Sequence, residues 1–360
     1  MALRRFGEVP YLPFLSLRPA EMRALQELPD KTKDRLLPVV ALRPWTTSYQ
    51  LQNSLDRLNE AYGDRPTVLA VGPEEISSKP RPVHGELAAL RLPDGGYSNW
   101  CDFIKRADGG HFIPAVQIDV AAEIGAQVDC FYELDRGLVI IIPKEAYPAL
   151  PALAATIAVR TEGGKNTCFV LDEGVSSRDP LQRAAILIPY VNAIKSACPL
   201  SYISVSGSSF PDDFKGLPRQ EIYERTMFDL LTGQVGRDQM IYSDRGSARV
   251  ERQRGGGGAP APRIDYPQPG EWRFFRSDDL EGFPGYQMQA EKLLDNEPPI
   301  FDALLRVWGT QMIERTANGD PTAIKTPARS TAVRINLHLQ RQTFFNDPIG
   351  LYDTEDDWDG

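Results

Sequence analysis

The chain has 360 residues, 42% of them hydrophobic and 25% charged, an ordinary globular composition long enough for one large α/β core with extensions. Its net charge of −9, from 40 Lys+Arg against 49 Asp+Glu, disfavours general coating of nucleic acid, which relies on positive charge. Cys101, Cys130, Cys168 and Cys198 are far apart with no CxxC, which argues against a zinc knuckle or a small disulfide scaffold and for reduced core thiols in a cytoplasmic protein.

The opening MALRRFGEVPYLPF lacks an apolar run of signal-peptide length, and no run reaches the roughly 18 apolar residues of a membrane span. A soluble protein without a membrane partner is expected. Apolar, β-rich runs then return at a steady interval, at 9–16, 36–42, 67–71, 111–117, 137–142, 167–171, 202–206 and 239–242. Helical stretches are predicted between them at 19–28, 48–62, 98–107, 120–134, 145–160, 180–197 and 218–231. The helix at 180–197 has Asp179 as N-cap and Pro180 in its first turn, where a missing N–H costs nothing. Leu138 to Ile142 is continuously apolar rather than alternating, as a parallel strand buried on both faces should be. Strands alternating with helices in this way predict an α/β, (β/α)8 TIM-barrel-like domain over 1–244, with an open doubly wound sheet as the competing arrangement.

Past the last of these strands the pattern breaks. Residues 245–271 are rich in Gly, Arg and Pro and are expected to form a flexible loop. A C-terminal extension packing on the barrel is predicted over 272–345, with a strand at 272–275, helices near 286–294 and 299–317, and a final strand at 332–339. An acidic tail occupies 346–360.

In a barrel the strand C-termini converge on one face. Arg18, Arg43, Ser208, Ser209 and Arg245 are therefore the expected ligand-binding residues, and Ser206 to Ser209 reads as a small-residue turn able to form an anion nest. The alternative is a metal-dependent phosphodiesterase or hydrolase, with Asp172, Asp244 and Glu173 catalytic, Asp172 and Asp244 holding Mg or Mn, and Arg18 clamping a phosphate. Against it stands the plain reading that these acids pair with nearby arginines and that no cofactor is used. The chain has no GxSxG, GxGxxG or P-loop, and its three histidines, His84, His111 and His338, form no HxH or HxxxH pair, which disfavours a zinc enzyme. Arg249, Arg252 and Arg254 resemble flexible segments that bind nucleic-acid backbones, although they lack interleaved aromatics for stacking, which favours the plain reading as a solvated linker. Tyr352, Asp356, Asp357 and Trp358 suit docking on a protein partner, the aromatics supplying area and the acids steering; disorder is the plain alternative.

The segments YLPFLSLRPAEMRAL, LDEG, GSSFP, Tyr242-Ser243-Asp244, Trp308-Gly309 and RINLHL together resemble the phage- and prophage-associated beta protein family, from about Tyr11 to Leu339. The resemblance implies a barrel-like α/β fold and a place among mobile-element or phage-conflict genes. It implies no established reaction. Glu21, Asp172, Ser209, Phe210, Pro211, Asp244 and His338 fall on positions of the family pattern, whereas Ser16 and Arg18 stand where lysines are expected. The function expected from these readings is recognition within a phage-conflict assembly, of a protein, a nucleic acid or a phosphorylated ligand.

Overall fold

The computed structural model describes residues 3–74, 79–249, 260–276 and 280–354. The chain divides into two compact units, one of Met1–Arg18, Arg35–Ser208 and Tyr223–Arg245, the other of Pro19–Asp34, Ser209–Ile222 and Gly246–Gly360. Strands in chain order are β1 (Phe14–Ser16), β2 (Val39–Leu42), β3 (Thr67–Val71), β4 (Phe112–Val116), β5 (Leu138–Pro143), β6 (Thr167–Val175), β7 (Tyr202–Ser208), β8 (Arg219–Glu221), β9 (Met240–Tyr242), β10 (Arg263–Pro267) and β11 (Glu271–Arg276). The helices are α1 (Pro19–Gln26), α2 (Asp30–Arg35), α3 (Gln52–Tyr62), α4 (Pro82–Ala89), α5 (Asp94–Arg106), α6 (Ala121–Tyr132), α7 (Leu150–Arg160), α8 (Pro180–Ala197), α9 (Tyr223–Val235), α10 (Gly282–Leu294), α11 (Trp308–Ala317) and α12 (Pro327–Thr343).

In the first unit β1 to β7 and β9 form one eight-stranded sheet in sequence order. Every pairing in it is parallel, and helices connect the strands. The eight strands predicted within 1–244 all appear in this sheet, because strands covered on both faces need apolar residues throughout and are visible as unbroken runs. The sheet is curled. Val39, Val68, Ile113, Ala115, Val139, Cys168, Val170 and Ile241, with Phe6, Val9 and Leu12, form a buried cluster to which no α-helix contributes, so the sheet itself encloses it. Beyond the sheet order, Tyr11 bridges Tyr242 in parallel, the Leu12 N–H donates to the Tyr242 carbonyl at 2.9 Å, and the Phe14 N–H donates to the Asp244 carbonyl at 2.8 Å. Asp179 caps α8 as predicted, accepting from the Gln182 N–H at 2.9 Å. All four cysteines are free thiols.

The second unit contains an antiparallel sheet in the order β10-β11-β8 and the helices α1, α10, α11 and α12. Its apolar core joins Tyr266, Tyr286, Leu293, Trp308, Met312 and Leu337. Several predictions fail in this unit. Residues 332–339 are not a strand but lie in α12, whose Thr326 cap accepts from the Arg329 N–H at 3.2 Å ahead of Pro327. Residues 332 to 343 are all buried, so the apolar-polar alternation marks no solvent face; the polar positions are bonded internally, as in Asn336 Nδ2 donating to the Ala24 carbonyl at 3.1 Å. The helix predicted over 299–317 begins only at Trp308, the one predicted at 218–231 is preceded by β8, and β10 takes up residues 263–267 of the tract expected as loop. No helix among the described residues is long and apolar enough to cross a membrane.

Candidate functional site

Side chains alternate across a strand, so the enclosed cluster identifies the inner face. Cys168 and Val170 place Asp172 inward, and Ile241 places Ser243 and then Arg245 inward. The contacts agree: Arg245 donates to Asp172 Oδ2 at 2.5 Å, and its guanidinium lies 5.5 Å from the centre of the Phe14 ring, which packs against the same cluster. Arg43 follows Val39 and Ala41 in the same alternation. Gly72 leaves room for it, since a Cβ there would stand 2.9 Å from Arg43 Cγ and closer still to the Leu42 carbonyl.

At the carboxyl ends, inner-face positions become partly exposed. Phe14, Ser16, Ala41, Ala70, Ile141 and Asp172 are half-buried, whereas their outward neighbours Leu15, Val40, Leu42, Leu69, Ile140, Ile142 and Leu171 are buried. The sheet therefore has a concave, solvent-reached end lined by small residues and by Arg43, Asp172 and Arg245. Arg245 Nε and Ser206 Oγ, buried within it, lack a hydrogen-bond partner among the described residues. Ser206 stands opposite Asp172 in the β6-β7 register.

Asp244 and Glu173 point outward. Asp244 is buried and accepts from the hydroxyls of Tyr11 and Tyr242, the latter at 2.9 Å. The Arg225 guanidinium of α9 lies 3.2 Å over the Tyr242 ring. Burial first, then the Asp244 charge, hold both tyrosines well above the usual phenol range, so they remain donors. Burial lowers Arg225, opposed by Tyr242 and Asp244. Glu173 accepts from Arg183 of α8 through both Nε and Nη2 and from the Tyr147 hydroxyl at 2.5 Å. Burial raises Tyr147.

Asp172 and Asp244 therefore sit on opposite faces of the sheet, and the pairing predicted for a metal is not made. No group of three or more His, Cys, Asp or Glu able to hold a metal occurs among the described residues. Of the predicted ligand residues, Arg43 and Arg245 meet the concave end, and Arg18 follows Ser16 two residues on. Ser208 is buried in β7, its carbonyl accepting from the Ser176 N–H at 2.9 Å. The predicted Ser206–Ser209 turn is not formed, because β7 runs through Ser208 and Gly207 has no positive φ, so there is no nest. Gly207 instead admits Ser176, whose Oγ lies 2.5 Å from where a Cβ would stand. Ser209 belongs to the second unit and donates to the Glu221 carbonyl at 3.2 Å.

Arg249 donates through Nε to the Pro211 carbonyl at 2.9 Å. Arg252 and Arg254 lie outside the described residues, as do Asp356, Asp357 and Trp358. Tyr352 donates to Asp302 Oδ2 at 3.0 Å, and Leu351 packs on the second unit's core, so the start of the tail is seated there. The histidines have structural surroundings. His84 Nδ1 accepts from the Arg81 N–H at the start of α4, His111 Nε2 is 3.1 Å from Asn59 Oδ1, and His338 stacks on Trp272. The sequence reading placed Ser206 in a turn where the structure has it in β7, and it missed Gly72, Tyr11, Arg225, Arg183 and Tyr147; period-two counting along β6, β7 and β9 from one known inward residue separates the two faces.

"Protein beta" of Enterobacteria phage P4 is 29% identical over 350 residues, covering 94% of each chain. Among solved structures, the carboxyl transferase domain of Rhizobium etli pyruvate carboxylase with pyruvate and biocytin shares 11% identity at a TM-score of 0.39, over 98% of this chain and 55% of that one. The complete multifunctional enzyme gives 11% and 0.38, over 95% and 27%. The chain thus spans about half or less of those structures, a likeness too distant to argue from. The family described as "Beta protein" matches residues 11–344, and the chain belongs to that family.

Proposed function

We propose that the protein is a phage-associated recognition component that binds a compact phosphorylated ligand in the concave carboxyl end of its parallel sheet. We read that sheet as a closed (β/α)8 barrel on the strength of the Tyr11 to Tyr242 bridge and its flanking hydrogen bonds. The observation that carries the reading is that Arg245 Nε and Ser206 Oγ, both buried next to the half-buried Asp172, lack a hydrogen-bond partner among the described residues. Buried polar groups are nearly always bonded, and an oxyanion between a guanidinium and a hydroxyl would satisfy both. Arg43 adds positive charge at the same end, where Asp172 already holds one side of Arg245. Asp172 and Asp244, on opposite faces, do not favour the hydrolase reading with Mg or Mn.

Calorimetric titration of pyrophosphate into the wild type and Arg245→Gln tests this. Loss of a charge-assisted contact predicts roughly tenfold or greater weakening in the variant. Equal affinity would remove the assignment. For the metal alternative, Mn binding is compared between wild type and the Asp172→Ala, Asp244→Ala double variant, and a difference between them would revive it.

A further inference from the structure

A second cationic site stands in the second unit, built on the aromatic cluster of Phe210, Phe214, Trp272 and Phe274. Arg263 lies flat on Phe214, its guanidinium carbon 3.4 Å from the ring centre, and Arg249 lies 5.3 Å from the same ring. Arg334, from α12, lies 3.9 Å over Phe210. One fully buried carboxylate, Asp265, serves two of the three: its Oδ1 accepts from Arg263 Nε at 2.5 Å and its Oδ2 from Arg334 Nη1 at 2.6 Å. Arg249 is held at the Pro211 and Asp212 carbonyls and lies 3.4 Å from the exposed Asp212 carboxylate.

This arrangement leaves two unmet demands. Arg334 is only 6% exposed, and its Nε has no hydrogen-bond partner among the described residues. Arg263 spends its Nε on Asp265 and its face on Phe214, and neither Nη atom makes a hydrogen bond to a described residue. The Arg263 side chain keeps 22% of its surface exposed and its planar end is fixed in direction by its two supports, which is the geometry for bidentate capture of an oxyanion. Gathering like charges is unfavourable in itself. Burial, and then the Arg263 and Arg249 charges against the opposing pull of Asp265, bring Arg334 down to about 10, so an added anion would relieve repulsion already present.

We infer that Arg263, with Arg249 beside it and Arg334 behind, binds a phosphate group, at a site separate from the one proposed in the first unit. Two sources share that chemistry: a free phosphate compound, and a phosphodiester of a nucleic-acid strand, whose backbone contacts are sequence-independent.

The test uses the full chain with two probes, inorganic pyrophosphate and a short fluorescent single-stranded oligonucleotide, against wild type, Arg263→Ala, Arg263→Lys and Arg245→Gln. Wild type is expected to bind at least one probe at this site, Arg263→Ala to weaken it roughly tenfold or more, and Arg263→Lys, which keeps the charge but not the fork, to recover only part. Arg245→Gln should leave that binding intact. Loss with the oligonucleotide assigns a nucleic-acid strand, and its affinity should fall steeply with salt; loss with pyrophosphate alone assigns a free phosphate compound. Absence of binding of both probes, equal binding by Arg263→Ala, or binding sensitive only to Arg245→Gln overturns the inference, the last result leaving the first-unit site standing. Thermal melting of Arg263→Ala close to wild type confirms that the comparison is made between folded proteins.

Discussion

The two faces of the parallel sheet's carboxyl end carry similar residues in different circumstances. On the outer face, Glu173 and Asp244 are buried and each is saturated, by Arg183 with Tyr147 and by Tyr11 with Tyr242. On the inner face, Asp172 is half-buried and holds one side of Arg245, while Arg245 Nε and Ser206 Oγ have no hydrogen-bond partner among the described residues. One residue of offset along β6 separates Asp172 from Glu173, and one separates Asp244 from Arg245. The saturated set ties helices to the sheet, and the unsaturated set lies buried beside the half-buried Asp172 on the inner face. Acidity alone therefore does not mark a site here; the state of each group's hydrogen bonds does.

The comparison breaks most sharply at Asp244. Replacing it with alanine strands two buried tyrosine hydroxyls and removes the nearby negative charge that offsets Arg225, so a loss of about 3–5 kcal/mol is expected in urea denaturation. A change below about 1 kcal/mol would mean that the outer network is not structural. Glu173→Ala should cost slightly less, about 2–4 kcal/mol, because Arg183 keeps some water when its partner is gone. Asp172→Asn tests the inner face, where the effect should change in kind. Stability should move by no more than about 1 kcal/mol, since the pair is partly exposed, while pyrophosphate should bind roughly threefold to tenfold more tightly once Arg245 is released. If Asp172→Asn destabilises as Asp244→Ala does, the two faces do not differ in role.

Much of this fold can be read from the residues because a parallel sheet announces itself. Runs such as Leu138 to Ile142 are apolar at every position, and their spacing leaves room for a helix between each pair. The second unit is less legible for a physical reason. In α12, Arg334, Asn336 and His338 are polar yet buried, Arg334 donating to Asp265, Asn336 donating to the Ala24 carbonyl and His338 stacking on Trp272, so their alternation with apolar residues imitates a strand's two faces. Thr326-Pro327 gave the same start signal as Asp179-Pro180 and would have corrected the reading. Strand β10 was hidden by its arginine and proline, and its place depends on pairing with β11, a partner no local pattern names. For the site, the right strand ends were legible, but which of two adjacent polar residues turns inward depends on the curl of the sheet.

The smallest effect concerns His111, buried at the start of β4 beside Asn59, far along the strand from the charged carboxyl end. Burial lowers its proton affinity, with Arg136 acting in the same direction and Asp64 against it. The folded protein thus holds fewer protons than the unfolded chain, whose histidine titrates near the ordinary value of about 6.5. This contribution is fully present above that pH and is lost as pH falls through it toward the lower folded value, with a slope of at most about 1.4 kcal/mol per pH unit from one proton. Denaturation midpoints from pH 7.5 to 5 should therefore fall more steeply in the wild type than in His111→Gln, which cannot take up the proton. Identical slopes would show that His111 accepts its proton in place, and its burial would then carry no pH-dependent part of the stability.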